Sequence, residues 1–487
     1  MSSETATELP YGSWPSPISA ELVAAGGIGV AGPAVHGDTV WWSELRPSEG
    51  GRSVLVSAEP GGDPVDRLPQ PWSARTRVHE YGGGAWWLGV EHVYLAEWSD
   101  QRLHRLRLDD PAAKPEPVTP EPTVAHGWRY ADGREHPDGS WLALVREDHH
   151  GVGAEGGRTE AANEIVAIGL GGDPATADAT VLVSGPDFVA APRFSPDGRW
   201  LSWIEWDHPS MPWDSTRLVA APVFANHRLG NQVVVAGGGA GESIVGADWT
   251  TNGRLVYSSD RNGWWNLHAW HPEGAEERII TALDTAEIGG PGWVFGVQRW
   301  TELSDGRLAV AVTEAAVDHL AIVELPAAGG PPAQPRRLPI ADLTEIGGLA
   351  ATADGRVAIV GAGPRSLSAV RVVDPDDATV STVRPPDDTG VEPSWFSVGQ
   401  AITFGSGPID GPPEAKTRQA NAFFYPPAAP GIGGPAGTAP PLVVMGHGGP
   451  TAHSDPALSL KVQYWTSRGF AVVDVNSGGS SGFGRAT

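Results

Sequence analysis

The sequence predicts a mainly β chain, a propeller of seven repeated sheets, followed by a short β/α unit. Three observations carry this. A turn signal recurs at a period of about 50 residues. The stretches between turns are short and rich in β-branched and aromatic residues. Beyond residue 390 the order becomes strand, loop, helix, strand.

The turn signals are His36-Gly37-Asp38, Leu88-Gly89-Val90, Pro137-Asp138-Gly139, Pro196-Asp197-Gly198, Thr251-Asn252-Gly253, Ser304-Asp305-Gly306 and Ala353-Asp354-Gly355. Asn-Gly and Asp-Gly accept the positive φ angles that tight hairpins need. The content of each unit reads as strand. Arg254 to Ser259 is one run, Asp260 to Gly263 turns, and Trp264 to Trp270 returns. The last unit repeats the order with Val357 to Val360, Leu367 to Val373 and Thr379 to Val383. Trp200 to Trp206 alternates in the manner of a half-buried strand. Short antiparallel strands repeated seven times give the layout of a propeller. The 64 Gly and 45 Pro fit a chain of many turns, and the 21 Trp fall mostly in strand-like runs.

Pro385 to Gly390 and Pro426 to Pro441 read as linkers. Leu442 to Met445 is a continuous apolar run, as in a buried parallel strand. The loop Gly446-His447-Gly448-Gly449-Pro450 follows. Asp455 and Pro456 suit the start of a helix. Leu458, Val462 and Trp465 share its apolar face, and Gly469 can end it. Phe470 to Val475 then reads as a second buried strand.

Composition excludes several functions. The net charge of −25 argues against nucleic acid as a partner. With no Cys, there are no disulfides, thiolate metal sites or Cys nucleophiles. No run reaches the roughly 20 apolar residues that span a bilayer. The polar opening segment lacks the features of a secretion signal, so a cytoplasmic protein without a membrane partner is expected. His149 and His150 belong to no recognisable ligand spacing, and no metal or cofactor is expected. Gly151 to Gly156 matches G-x-G-x-x-G but lies inside a β repeat, where dinucleotide binding is not expected.

The loop at 446–450 carries the most chemistry. Adjacent Gly residues leave backbone N–H groups accessible to a substrate oxygen, and such donors stabilise an oxyanion. An ordinary strand-to-helix turn is the plainer alternative. Gly478-Gly479-Ser480-Ser481-Gly482 is a literal G-x-S-x-G. A nucleophile elbow needs a helix directly after it, and the residues that follow offer none. Ser480 is therefore read as loop. Glu80, Glu205 and Asp207 could face a peptide amino group, but solvated strand or loop acids are the preferred reading.

Several segments together resemble the prolyl oligopeptidase family, in its acylaminoacyl-peptidase and dipeptidyl-aminopeptidase-like branch. They are Tyr11 to Ile18, Arg75 to Gly84, Trp206 to Asp214, Ser259 to Asn266, Val444 to Pro450 and Gly469 to Asn476. The resemblance implies a seven-bladed β-propeller followed by the N-terminal portion of an α/β-hydrolase domain. The expected parts are 1–25 packing on the hydrolase domain, 26–385 as propeller and 386–487 as partial hydrolase domain. It implies a serine peptidase acting on short peptides, with the propeller gating access. His447, Gly448 and Gly449 match the family's oxyanion loop. The family's Ser, Asp and His would lie beyond Thr487, so this chain by itself is expected to be inactive. The match weakens at Asn476 to Ser480. A non-catalytic peptide-binding propeller, or one half of a split peptidase, is the alternative. A homo-oligomer, or a separate C-terminal half, is the further partner considered.

Overall fold

The computed structural model describes residues 7–154, 156–173, 179–239, 241–274, 277–327, 329–406 and 418–485. Seven antiparallel sheets succeed one another along the chain, each built from consecutive strands. The first comprises Gly29–His36, Thr39–Arg46, Arg52–Ala58 and Val65–Asp66. The seventh comprises Glu345–Ala351, Val357–Gly363, Ser366–Val373 and Val380–Arg384. Six sheets have four strands, and the fourth carries a fifth. The arrangement is mainly β and consistent with a propeller.

Each glycine of the repeated turn signal sits between the first and second strands of one sheet. Six of the seven have positive φ, from +59° at Gly37 to +86° at Gly355. A side chain there would strain the hairpin. At Gly89 the constraint is space, since a Cβ would meet the Glu135 carboxylate at 1.9 Å.

Apolar clusters join neighbouring sheets in series. Trp87 and Tyr94 of the second sheet pack with Leu142 and Val166 of the third. Trp141 and Val145 of the third pack with Leu201 and Trp203 of the fourth. Corresponding clusters continue to the seventh sheet. The last cluster returns to the start, placing Trp42, Val54 and Val56 with Ala358, Val360 and Val370. This explains a departure from the sequence reading. Trp200–Trp206 is buried along nearly its whole length, not on alternate residues, because both of its faces meet a neighbouring sheet.

An ion pair reinforces the meeting of first and seventh sheets. Arg384 Nε donates to Glu44 Oε1 at 2.9 Å, and both side chains are over nine-tenths buried. Burial pushes the Glu44 carboxyl up. Hydrogen bonds from Arg46, Trp42 and Arg384 outweigh that, leaving it below the usual carboxylate range. Asp387, in the expected linker, accepts from Arg384 at 2.6 Å and from the Ile28 amide at 2.8 Å.

An eighth sheet has the strand order Gln400–Ser406, Arg418–Tyr425, Ala471–Asn476, Leu442–Gly446. Only its last pair is parallel. The helix between those two strands is Leu460–Thr466. It begins later than Asp455-Pro456 suggests, because the Leu458 amide donates to Gly363 O of the seventh sheet at 2.9 Å. Asp455 instead accepts from Ala457 N at 2.8 Å. Gly469 ends the helix turn at φ +90°. The stretch read as a linker at 426–441 contains the short strand Ile432–Gly433, paired in parallel with Thr7–Glu8. The N-terminal segment continues along this sheet. Gly12 N donates to Arg468 O at 2.8 Å, and Ile18 is fully buried against Phe396 and Leu458.

Leu442–Gly446 is not buried on both sides. It forms the sheet edge, with Leu442 54% and Val444 65% exposed. Register places Val444 on the same face as Val473 and Phe424, and Ile402 and Phe404 are exposed there too. The opposite face is covered. Val443 and Met445 pack with Val472, Phe423 and Val462 of the helix.

Two outcomes follow. Arg384→Met leaves a buried, less compensated carboxylate and should lower unfolding stability by about 3 kcal/mol. Adding Glu44→Gln should recover most of that in denaturant titration, and a single variant as stable as the parent would refute the pair's role. The bare apolar face should bind a hydrophobic dye, and Leu442→Ser with Val444→Ser should reduce the signal severalfold. No change in dye fluorescence would contradict the exposure of that face.

Candidate active site

The loop at 446–450 leaves the edge strand and faces open space. A Cβ at Gly448 or Gly449 would meet nothing within 4 Å. Among the described residues, neither Gly448 nor Gly449 donates its amide to a protein group. Two adjacent N–H donors are therefore free for a bound oxygen, the property an oxyanion site requires.

His447 fixes this loop. Its Nδ1 lies 2.7 Å from Gly448 O, and its Nε2 lies 2.7 Å from Ser480 Oγ. Ser480 Oγ is also 2.7 Å from Ser477 O. With Nδ1–H donating to Gly448 O, Nε2 of a neutral ring can only accept, and the single Ser480 hydroxyl proton goes to Nε2 or to Ser477 O, not to both. The serine dismissed from the sequence thus touches the loop. It is only 2% exposed, no helix follows it among the described residues, and His447 has a carbonyl rather than a carboxylate behind it.

The segment 477–485 is pinned to the propeller-like part. Ser481 N donates to Ala452 O at 2.9 Å, and Ala315 N donates to Gly482 O at 3.1 Å. Gly482 N donates to the Glu287 carboxylate. A Cβ on Gly482 would meet Ala316 N at 2.8 Å, so glycine is required for this approach. Arg485 Nε donates to Asp260 Oδ2 at 2.6 Å, and its Nη2 donates to Trp213 O at 2.9 Å. On the other side of the loop, Trp293 Nε1 donates to Thr451 O at 2.5 Å. Asn476 holds the 451–455 turn through two bonds to the Ser454 backbone, at 2.8 and 3.0 Å.

Acids dominate this junction. Arg299 pairs with Asp318 at 2.7 Å and bonds Thr313 and Ile346 O. Burial pushes Glu287 and Glu345 up to about 7 each. Burial also raises Asp455, and it lowers His453. Most of these groups come from chain segments far apart in sequence, and no local pattern announced them.

The other candidates are engaged elsewhere. Glu80 and Glu147 pair with Arg129, at 2.8 and 3.2 Å. Glu205 and Asp207 both pair with Arg217, at 3.0 and 2.8 Å. His149 bonds Glu147 and His150 bonds Asp148. Gly151 and Gly153 lie in a hairpin loop of the third sheet, while Glu155 of that motif lies outside the described residues. No helix of the described residues is long and apolar enough to cross a membrane.

The raised carboxyls give a pH prediction. An acid whose folded pKa exceeds its unfolded value contributes stability that is complete below about pH 4.5 and lost as pH rises through about 7. Glu287→Gln keeps an acceptor for Gly482 without the charge. Relative to the parent, this variant should therefore gain of order 1–3 kcal/mol between pH 5 and pH 8. Urea titrations at both pH values check this, and a pH-independent difference would contradict it.

No protein-family model and no curated protein matches the chain. Solved structures do. A puromycin-hydrolysing peptidase of Mycobacterium tuberculosis is 37% identical, with TM-score 0.87, over 98% of this chain and 71% of that one. A puromycin hydrolase is 34% identical, with TM-score 0.87, over 99% and 71%. A prolyl endopeptidase shares the fold at 14% identity and TM-score 0.66, over 97% of this chain and 65% of that one. With this fold, and with identity above 30% to peptidases of which it covers more than two thirds, the chain belongs to the prolyl oligopeptidase family of peptidases.

Proposed function

We propose that the chain is the substrate-gating part of a serine peptidase that hydrolyses short peptides and related aminoacyl amides. The observation that carries this reading is the pair of unpartnered amides at Gly448 and Gly449. The puromycin-hydrolysing activity of the 37% identical relative supports an amide-cleaving reaction on a small substrate. In this reading residues 26–385 form a seven-bladed β-propeller that restricts entry. Residues 386–487 belong to an α/β-hydrolase domain, on which residues 1–25 pack. The Gly448 and Gly449 amides stabilise the oxyanion. A Ser attacks the carbonyl, a His relays the proton and an Asp orients the His, all three supplied from outside residues 1–487. His447 and Ser480 shape the loop. The reaction needs no cofactor, takes place in the cytoplasm, and involves neither nucleic acid nor membrane.

A second reading has one observation in its favour, the 2.7 Å contact from Ser480 to His447. There Ser480 is the nucleophile. Its burial and the missing carboxylate weigh against it.

Labelling separates the two. Residues 1–487 should neither hydrolyse an alanyl-nitroanilide or puromycin nor react with a fluorophosphonate. Stoichiometric labelling that disappears in Ser480→Ala would establish the second reading and overturn the first. The coding sequence after Thr487 offers a further check. A strand, a G-x-S-x-G turn and a helix are expected there, and a stop codon would favour a peptide-binding module.

A further inference from the structure

Asn-Gly occurs twice in the chain, at 252–253 and at 262–263. A backbone nitrogen can attack the amide carbon of a preceding Asn when its own residue has no Cβ to block the approach. What holds the Asn and the Gly in place then decides the outcome, and the two pairs are held differently.

Asn252 lies in the turn between Ile244–Trp249 and Leu255–Ser259 of the fifth sheet. Its position is taken by Asp197, Asp305 and Asp354 in the fourth, sixth and seventh sheets. Each of those is followed by Gly and then Arg. Each Arg Nε donates back to the carboxylate, at 2.5, 2.6 and 2.7 Å. The fifth sheet keeps Gly253 and Arg254 but has a neutral amide in place of the carboxylate. The Arg254 amide donates to Thr250 Oγ1 at 3.2 Å, while among the described residues its guanidinium pairs with no carboxylate.

Asn252 is exposed, and among the described residues its Nδ2 donates to no protein group. Its Oδ1 lies 2.8 Å from Thr250 Oγ1. That hydroxyl is also 3.0 Å from Arg254 O, so its single proton goes to one or the other. Placed on Oδ1, it supports the negative charge that builds there during attack. The Gly253 amide donates to Thr250 O at 2.9 Å. This bond must open first, and an exposed hairpin tip opens at low cost. Asn262 is tied more fully. Its Nδ2 donates to Leu283 O, and its Oδ1 accepts from Trp264 N and Asn266 Nδ2, each at 3.3 Å. Gly263 N donates to Asp260 O at 2.7 Å, and Gly263 O accepts from Arg485 N at 2.8 Å.

We infer that Asn252 is a site of spontaneous deamidation, with water as its co-reactant, and that the aspartate formed completes the ion pair already present in the three sister turns. The Gly253 nitrogen bonds to Asn252 Cγ and gives up its proton. The Cγ–Nδ2 bond breaks, and ammonia leaves with that proton. Water then opens the resulting cyclic imide. Cleavage at Cγ gives aspartate, and cleavage at the backbone carbonyl gives isoaspartate, whose main chain is one methylene longer. The aspartate faces Arg254. Glu302 accepts from the Thr251 amide at 2.6 Å, and this like-charged neighbour limits the gain.

Peptide mass spectrometry of residues 1–487 aged at mildly alkaline pH reads both sites. The peptide holding Asn252 should gain about 1 Da and separate into two chromatographic forms. The peptide holding Asn262 should change about tenfold more slowly. Asn252→Asp should raise the folding equilibrium constant about twofold in denaturant titration, and in an Arg254→Gln background it should give no rise. No mass gain at 252, or a faster gain at 262, would overturn the site. No rise with Asn252→Asp, or the same rise without Arg254, would overturn the ion pair.

Discussion

The fold depends on how the first sheet meets the seventh. Each of the seven repeated sheets is made from consecutive strands, so no strand is shared between the ends of the succession. Closure rests on side chains alone. Trp42, Val54 and Val56 supply the apolar part, against Ala358, Val360 and Val370. Glu44 and Arg384 supply a buried charge pair that apolar surroundings make strongly dependent on both partners. If this contact opened, the strands lining the interior would lose a neighbour on one side. The positions of the loops they carry would loosen with them.

Those loops are what the eighth sheet docks on. Glu287, Asp260, Ala315 and Trp213 come from the fourth to sixth sheets and their connections, and they hold residues 482–485. Ser480 in turn touches His447, which bonds Gly448 O. A path of hydrogen bonds therefore runs from the propeller-like part to the two free amides. The junction is polar and carries more acids than bases. Apolar contacts of Ala316 and Val317 with Phe423 and Tyr425 accompany these bonds. Tyr81, Trp213 and Trp293 pack together beside Thr451, next to the close approach of Gly82–Gly84 to Phe295.

Much of the fold was legible because backbone chemistry is local. Each repeat glycine marks a hairpin that needs positive φ or close approach, and these fixed the period before any packing was known. The β/α order after residue 440 was readable for the same reason. Arg418–Tyr425 was not, because its polar and apolar residues mix and its partner strand lies some 50 residues later. The helix start at Asp455 was misread because a tertiary bond from Leu458 to Gly363 competes with the local capping signal. In the site, the glycine loop was visible as a motif. The contacts that hold it were not, since Glu287 and Gly482 are 195 residues apart. Trp213 and Trp293 resemble strand material by composition, and only the fold places them side by side in loops.

Native-state hydrogen exchange with peptide-level mass spectrometry tests the closure most directly. Gly29–His36 and Glu345–Ala351 should exchange together, in one cooperative opening at the same denaturant concentration. A first sheet that exchanges independently of the seventh would contradict a ring closed between them.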